Sequence, residues 1–395
     1  MTPPSRIYLS PGMFGFARLA SFEYFEHIVL ALQERFQSRG HGARIFVCEV
    51  HPTSSVRRRA AKLATMIADT AGDDDGAIHV IGHSTGGLDA RLVASPTCYL
   101  GGGLDRRSAW IHRLRSVTSL NTPHYGTPLA SFFATVSGQR LLYAVSALTV
   151  AALKLGAPPL AVTSALFAAF GRVELGGIEL SILDRAVDSV IKVLDEASSR
   201  ELRAWLKLLR DDQGGIVQLM PEAMDLFQAG VEDRPGVRYQ CVATYAPQHA
   251  VRDWISALRS PWAAASAMIF TALYNLTAMH DERYPCAPDD GSAQRRVRAL
   301  LGETPESTAS DGIVPLYSQI WGELIWVGKA DHLDIVGHFP GAPGGHKDDG
   351  PIHTDWLASG ARFNRVRFDV VMDRIVSGLL VAEELHAAAR PHPAA

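Results

Sequence analysis

The five residues Gly82-His83-Ser84-Thr85-Gly86 constrain this chain more than any other feature. They follow directly on the apolar run Ile78-His79-Val80-Ile81 and lead into Leu88-Asp89-Ala90-Arg91-Leu92-Val93, which has the make-up of a helix. A strand that turns into a helix this sharply leaves no room for side chains two residues either side of its apex, hence the glycines at 82 and 86. The turn lifts the Ser84 hydroxyl above the sheet, and the helix behind it aims backbone N–H groups and a positive dipole end at developing negative charge. A Gly-x-Ser-x-Gly sequence in this strand-turn-helix setting makes Ser84 a candidate nucleophile. The plainer reading, a structural glycine-rich turn, does not need the serine or the buried strand.

Similar β-branched runs recur along the chain, each followed by a helix-like stretch: Ile7 to Leu9, Ala43 to Val50, Ala77 to Gly82, Ser116 to Leu120, Val237 to Tyr245 and Leu324 to Val327. This alternation predicts an α/β fold with a mostly parallel central sheet flanked by helices. More than a hundred residues of helical periodicity separate the fourth run from the fifth, including Ile182 to Leu208. The expected organisation is a core from 1–130 and 231–395, a helical cap from 131–230, and a second insertion at about 247–310. An amphipathic helix from about Val366 to Leu385 closes the chain.

The 38 Lys and Arg against 41 Asp and Glu give a net charge of -3, which excludes the basic surplus a nucleic-acid partner needs. The run Arg57-Arg58-Arg59 is expected on a solvated helix face. Cys48, Cys98, Cys241 and Cys286 are too few in 395 residues for a disulfide framework, and Cys48 and Cys241 sit in strand-like runs as small apolar groups. The start Met-Thr-Pro-Pro-Ser-Arg lacks the pattern of a secretory signal, so a cytoplasmic protein, or the mature form of a processed one, is expected. The most apolar region, Leu141 to Phe170, is divided by Lys154, Gly156 and Pro158-Pro159 into stretches shorter than the roughly twenty residues a bilayer requires, so no integral membrane span is expected.

A serine nucleophile needs a base and an acid, which in this kind of fold follow it in the order acid, then histidine. His332 falls just after the strand-like Leu324 to Gly328, where the loop would reach the active face. Asp311, in Ser310-Asp311-Gly312-Ile313-Val314-Pro315, stands on a turn that returns into an apolar run. It would hold the imidazole tautomer. His338, His346 and His353 are the alternative bases, and Asp331 and Asp334 the alternative acids. The first strand ends at Ser10-Pro11-Gly12-Met13, where glycine lets the backbone approach the serine, so the amides of Met13 and Thr85 are the expected oxyanion donors.

Four motifs taken together resemble the α/β-hydrolase family of bacterial triacylglycerol lipases and related esterases: Gly-His-Ser-Thr-Gly-Gly at 82–87, Leu-Asn-Thr-Pro-His-Tyr-Gly-Thr at 120–127, Ser-Asp-Gly-Ile-Val-Pro at 310–315, and Asp-His-Leu-Asp at 331–334. Leu219-Met220-Pro221-Glu222-Ala223-Met224 also resembles a lipase segment. The chain departs from the family in the oxyanion loop, which carries Pro11-Gly12 where those lipases have His-Gly. The resemblance implies an α/β-hydrolase fold and no required cofactor, and it leaves a structural calcium open. The positions comparable to the family's calcium ligands are Asp334 and the pair Asp289-Asp290, with His338 where an amide ligand is expected.

The expected activity is hydrolysis of apolar carboxylic esters through a Ser84–His332–Asp311 triad, on small-molecule or lipid substrates. Phe14 and His83 are expected to contact substrate beside the nucleophile, and Phe167 and Phe170 from an acyl cleft in the cap. An ordinary packed helical hairpin would show the same apolar spacing. An acyltransferase could use the same triad, with an alcohol or amine in place of water. A non-catalytic binding protein of the same fold is the third reading.

Overall fold

The computed structural model describes residues 3–13, 24–101, 106–155, 180–247, 261–341, 353, 355 and 357–389. Six strands form one sheet: β1 (Ser5–Ser10), β2 (Ala43–Val47), β3 (Ile78–His83), β4 (Leu114–Leu120), β5 (Arg238–Tyr245) and β6 (Glu323–Lys329). Their order is β2-β1-β3-β4-β5-β6 and every pairing is parallel. Each coincides with a run expected from sequence, because strands covered on both faces read as continuous apolar stretches. β1, β3 and β4 are buried along their whole length, whereas the edge strands β2 and β6 are partly exposed and carry Arg44, Glu323 and Lys329.

Helices cover both faces. The core helices are α1 (Glu26–Ser38), α2 (Val56–Thr70) and α3 (Thr85–Ala94). Between β4 and β5 follow α4 (Pro128–Phe133), α5 (Val136–Leu155), α6 (Leu180–Val193), α7 (Glu196–Asp211), α8 (Gly214–Gln218) and α9 (Pro221–Gly230). Then come α10 (Pro261–Thr277), α11 (Ser292–Leu301) and, after β6, α12 (Arg365–Ala389). Tyr8 bonds Thr70 of α2 at 3.0 Å, while His79, opposite Ile7 in the neighbouring strand, bonds Glu383 of α12 at 3.0 Å. Successive strand residues face opposite sides, so α2 and α12 lie on opposite faces of the sheet. Among the described residues no helix is long and apolar enough to cross a membrane.

One local expectation is resolved in more detail and one is corrected. The periodic stretch Ile182 to Leu208 is two helices, broken where Asp195 accepts the Ser198 amide at 2.9 Å and caps α7. Arg59 is not on a solvated face: Arg57 and Arg58 are exposed, but Arg59 shares the buried face of α2 with Val56, Ala60 and Leu63. Helical spacing of three and four residues dictates that placement.

The strand order places a crevice beyond the C-terminal ends of β1 and β3, where the connections from neighbouring strands leave toward opposite faces. Both the Pro11-Gly12-Met13 loop and Ser84 leave the sheet at this point.

Candidate active site

Ser84 sits between β3 and α3 with φ 54° and ψ -129°, a conformation that costs a non-glycine residue on the order of 1–3 kcal/mol. The glycines around it are there for space. A Cβ at Gly82 would run into the Gly86 backbone, and one at Gly86 into the Ser10 carbonyl. A Cβ at Gly12 would stand 2.6 Å from the Ser84 Cβ, so the loop after β1 rests directly against the nucleophile's side chain. Thr85 is the first residue of α3, and its N–H is among the amides a helix start leaves without an intrahelical partner.

His332 follows β6 and Asp311 follows α11. The Asp311 Oδ2 lies 2.7 Å from His332 Nδ1, and the Asp311 carbonyl accepts the His332 amide at 3.0 Å. Oδ1 accepts the amides of Ile313 at 2.9 Å and Val314 at 2.7 Å. Gln319 Nε2 donates to Oδ2 at 3.3 Å while holding the carbonyls of Thr244 and Val314, both at 3.0 Å. These bonds keep a fully buried carboxylate oriented toward the imidazole. Gln319 carries no sequence signal, since it lies in an ordinary apolar stretch.

The alternative acids do different work. Asp331 accepts the amides of Leu333 at 2.9 Å and Asp334 at 3.0 Å and the Ser359 hydroxyl at 2.8 Å, building the turn that presents His332. Asp334 accepts the Asp331 amide at 2.8 Å. Of the alternative bases, His338 packs against Tyr24 and His27, and His353 stacks on His27 with centroids 4.1 Å apart. His346 lies outside the described residues.

His83 is not part of the cleft that Ser84 lines. It is fully buried, its Nδ1 lies 2.6 Å from the Tyr24 hydroxyl, and its Nε2 lies 2.9 Å from the His332 carbonyl oxygen. Strand alternation explains the correction, because the residue before the elbow apex must point away from the side on which Ser84 emerges. Tyr24 was not signalled by sequence. Phe14, Phe167 and Phe170 lie outside the described residues.

Ser84, Met13 and Thr85 together line a cleft with ≈ 380 Å³ of space not filled by atoms, its solvent mouth included. Its other walls are Leu129, Ala130 and Phe133 of α4, Ile216 of α8 and the following Leu219, and Ile313 and Val314 from the acid loop. Thr127 ties these walls together, donating its hydroxyl to the Ile313 carbonyl at 2.6 Å and its amide to the Leu219 carbonyl at 3.0 Å. The 120–127 and 219–224 motifs thus meet at the cleft.

The calcium positions are not gathered. Burial and the neighbouring Asp331 and Asp355 carboxylates push Asp334 well above the usual carboxylate range. Asp290 accepts the Ser292 amide at 2.8 Å at the start of α11, and Asp289 lines a separate cleft with Tyr125 and Pro221. Among the described residues no group of three or more His, Cys, Asp or Glu is arranged to hold a metal. No chemical step of the hydrolysis depends on a calcium ion.

No protein-family model matches the chain. Over 128 residues it is 32% identical to a triacylglycerol lipase of Vibrio cholerae, covering 31% of this chain and 34% of the lipase. Over 125 residues it is 32% identical to a triacylglycerol lipase of Pseudomonas fragi, covering 31% and 36%. The chain thus spans about a third of the length of these curated relatives. The crystal structure of Staphylococcus hyicus lipase superposes with a TM-score of 0.52 at 14% identity, over 98% of this chain and 99% of that one. The chain has the α/β-hydrolase fold, and about a third of it is similar in sequence to the triacylglycerol lipases of Vibrio cholerae and Pseudomonas fragi.

Proposed function

We propose that this protein is a carboxylic ester hydrolase for apolar acyl esters, with Ser84 as nucleophile, His332 as base and then acid, and Asp311 as the group that orients the histidine. The observation that carries this reading is the placement of Ser84 in the wall of an otherwise apolar cleft, with a buried His332–Asp311 pair delivered to the same end of the sheet. Commitment of Nδ1 to Asp311 leaves Nε2 to take the proton from Ser84 Oγ as that oxygen attacks the acyl carbon. The oxyanion forms against the amides of Met13 and Thr85, the leaving alcohol receives the proton from Nε2, and water then repeats the sequence on the acyl-enzyme. The helices between β4 and β5 serve as the cap, with α4 and α8 closing over the acyl chain.

An apolar cleft wall that desolvates each acyl methylene contributes up to about 0.8 kcal/mol per methylene. Specificity for p-nitrophenyl esters should therefore rise with acyl length until the cleft is filled. Ala130→Leu should lower kcat/KM on octanoate by about tenfold while leaving acetate within about twofold, since isobutyl in place of methyl obstructs only the longer chain. Equal losses on both esters would contradict an acyl role for this cleft.

A further inference from the structure

We propose that Tyr24 and His83 are positioning residues that fix the catalytic histidine's backbone, and so set the Ser84–His332 distance. This rests on the ester-hydrolase reading above. A carbonyl oxygen can only accept, so the 2.9 Å contact from His83 Nε2 to the His332 oxygen requires the proton on Nε2. His83 Nδ1 then carries the lone pair and accepts from the Tyr24 hydroxyl at 2.6 Å. The result is a directed chain from Tyr24 O–H through the imidazole to the backbone of the base. All three residues are buried, and burial holds the His83 imidazole well below the ordinary histidine range, in its neutral form. The two imidazoles lie against each other with ring centroids 4.6 Å apart.

The geometry matters because His83 is covalently next to the nucleophile. Its backbone belongs to β3, and the Ser84 amide is pinned to β4 through the Leu120 carbonyl at 2.8 Å. A residue fixed in this frame therefore holds the carbonyl of His332, whose amide and Nδ1 are both held by Asp311. The imidazole is clamped from the acid side and from the nucleophile side at once. Tyr24 lies just before α1, so the same chain of hydrogen bonds ties the start of that helix to the end of β3 and to the loop after β6.

The test uses the full chain and four variants. Loss of a partner that orients a reacting side chain typically costs about 10- to 100-fold. Tyr24→Phe removes only the hydroxyl and should lower kcat on p-nitrophenyl butyrate about tenfold, with KM within about twofold. His83→Leu should lower kcat about a hundredfold. His83→Gln, whose amide can still donate to the His332 carbonyl and accept from Tyr24, should recover to within about fivefold of wild type. Should His83→Leu fail to fold, Tyr24→Phe and His83→Gln decide the matter, with thermal midpoints measured alongside. Unchanged kcat in Tyr24→Phe, a loss confined to KM, or no difference between His83→Gln and His83→Leu would overturn the proposal.

A proton NMR readout separates this claim from the activity assignment. The low-field resonance of the His332 Nδ1–H bound to Asp311, identified by its absence in Asp311→Asn, should broaden or shift in Tyr24→Phe. That holds whatever ester the protein accepts. An unaltered resonance in Tyr24→Phe overturns the positioning role, whereas a changed resonance in a protein inert toward all esters and phosphonates overturns the hydrolase reading instead.

Discussion

Arg59 and Asp89 form a fully buried, multiply bonded ion pair immediately behind the oxyanion loop. Arg59 Nε lies 3.1 and 3.0 Å from the two Asp89 oxygens and Nη2 lies 2.8 Å from Oδ2. The same Nη2 donates to the Pro11 carbonyl, and Ser10 Oγ donates to Asp89 Oδ2 at 2.8 Å. The pair thus joins α2, the elbow helix α3 and the loop carrying Met13.

Removing one member leaves the other charged and unpaired in the core, at a cost of about 3–5 kcal/mol. Arg59→Met should lose this much in urea unfolding. The double variant Arg59→Met/Asp89→Leu should recover a substantial part, because an uncharged pair carries no desolvation penalty. Its kcat should stay depressed, since the Pro11 carbonyl has lost its donor. A double variant no more stable than Arg59→Met would contradict this account of the pair.

Asp311→Asn should lower kcat by about 10⁴ with little change in stability, because the amide favours the wrong imidazole tautomer. Asp331→Asn, which alters a turn-building carboxylate, should reduce the thermal midpoint while kcat in the folded protein falls by less than about tenfold. Steady-state kinetics beside thermal unfolding checks both. Reversed kcat losses would make Asp331 the orienting acid.

Much of this site was legible because turn chemistry and buried strands leave marks in a linear sequence. Six apolar runs located six strands, and Ser84, Asp311 and His332 each stood next to a glycine, a turn or the end of such a run. Tyr24 and Gln319 left no mark, and Arg59 stood in a basic run that reads as solvated. Their roles depend on which buried acceptor lies opposite, and that is decided by helix rotation and sheet order rather than by residue type. His83 was visible but assigned to the wrong side of the strand, since the elbow motif identifies the serine's direction and says little about its neighbour's partners.

The histidines packed between α1 and the loop after β6 should make the protein acid-sensitive. Burial lowers His27 to about 3 and His338 to about 4, and lowers His353 as well. Arg365, which lowers His27 and His353, Asp369, which opposes it at His353, and Tyr24 are the other groups facing them. These folded-state values lie below that of an unfolded histidine, about 6.5, so the stabilisation is complete above that pH and is lost as pH falls through it toward 4. For His27 the loss between pH 7.5 and 5 is on the order of 2 kcal/mol. Asp331, raised by burial to about 6, and Asp355, raised by burial to about 8, act in the opposite sense, so the comparison must be between variants. His27→Phe should flatten the fall of the urea midpoint over this range. An identical pH profile in the variant would contradict the assignment.

The most direct test of the account is Ser84→Ala, measured for ester hydrolysis and for labelling by a fluorophosphonate with intact-mass detection. Alanine fits the elbow, so the variant should unfold at the wild-type temperature. The wild type should gain one phosphonyl group on Ser84. The variant should gain none and lose several powers of ten in kcat, as removal of the nucleophile from a triad does. A folded Ser84→Ala protein that retains more than a few per cent of wild-type turnover, or that is still labelled, would contradict the central claim.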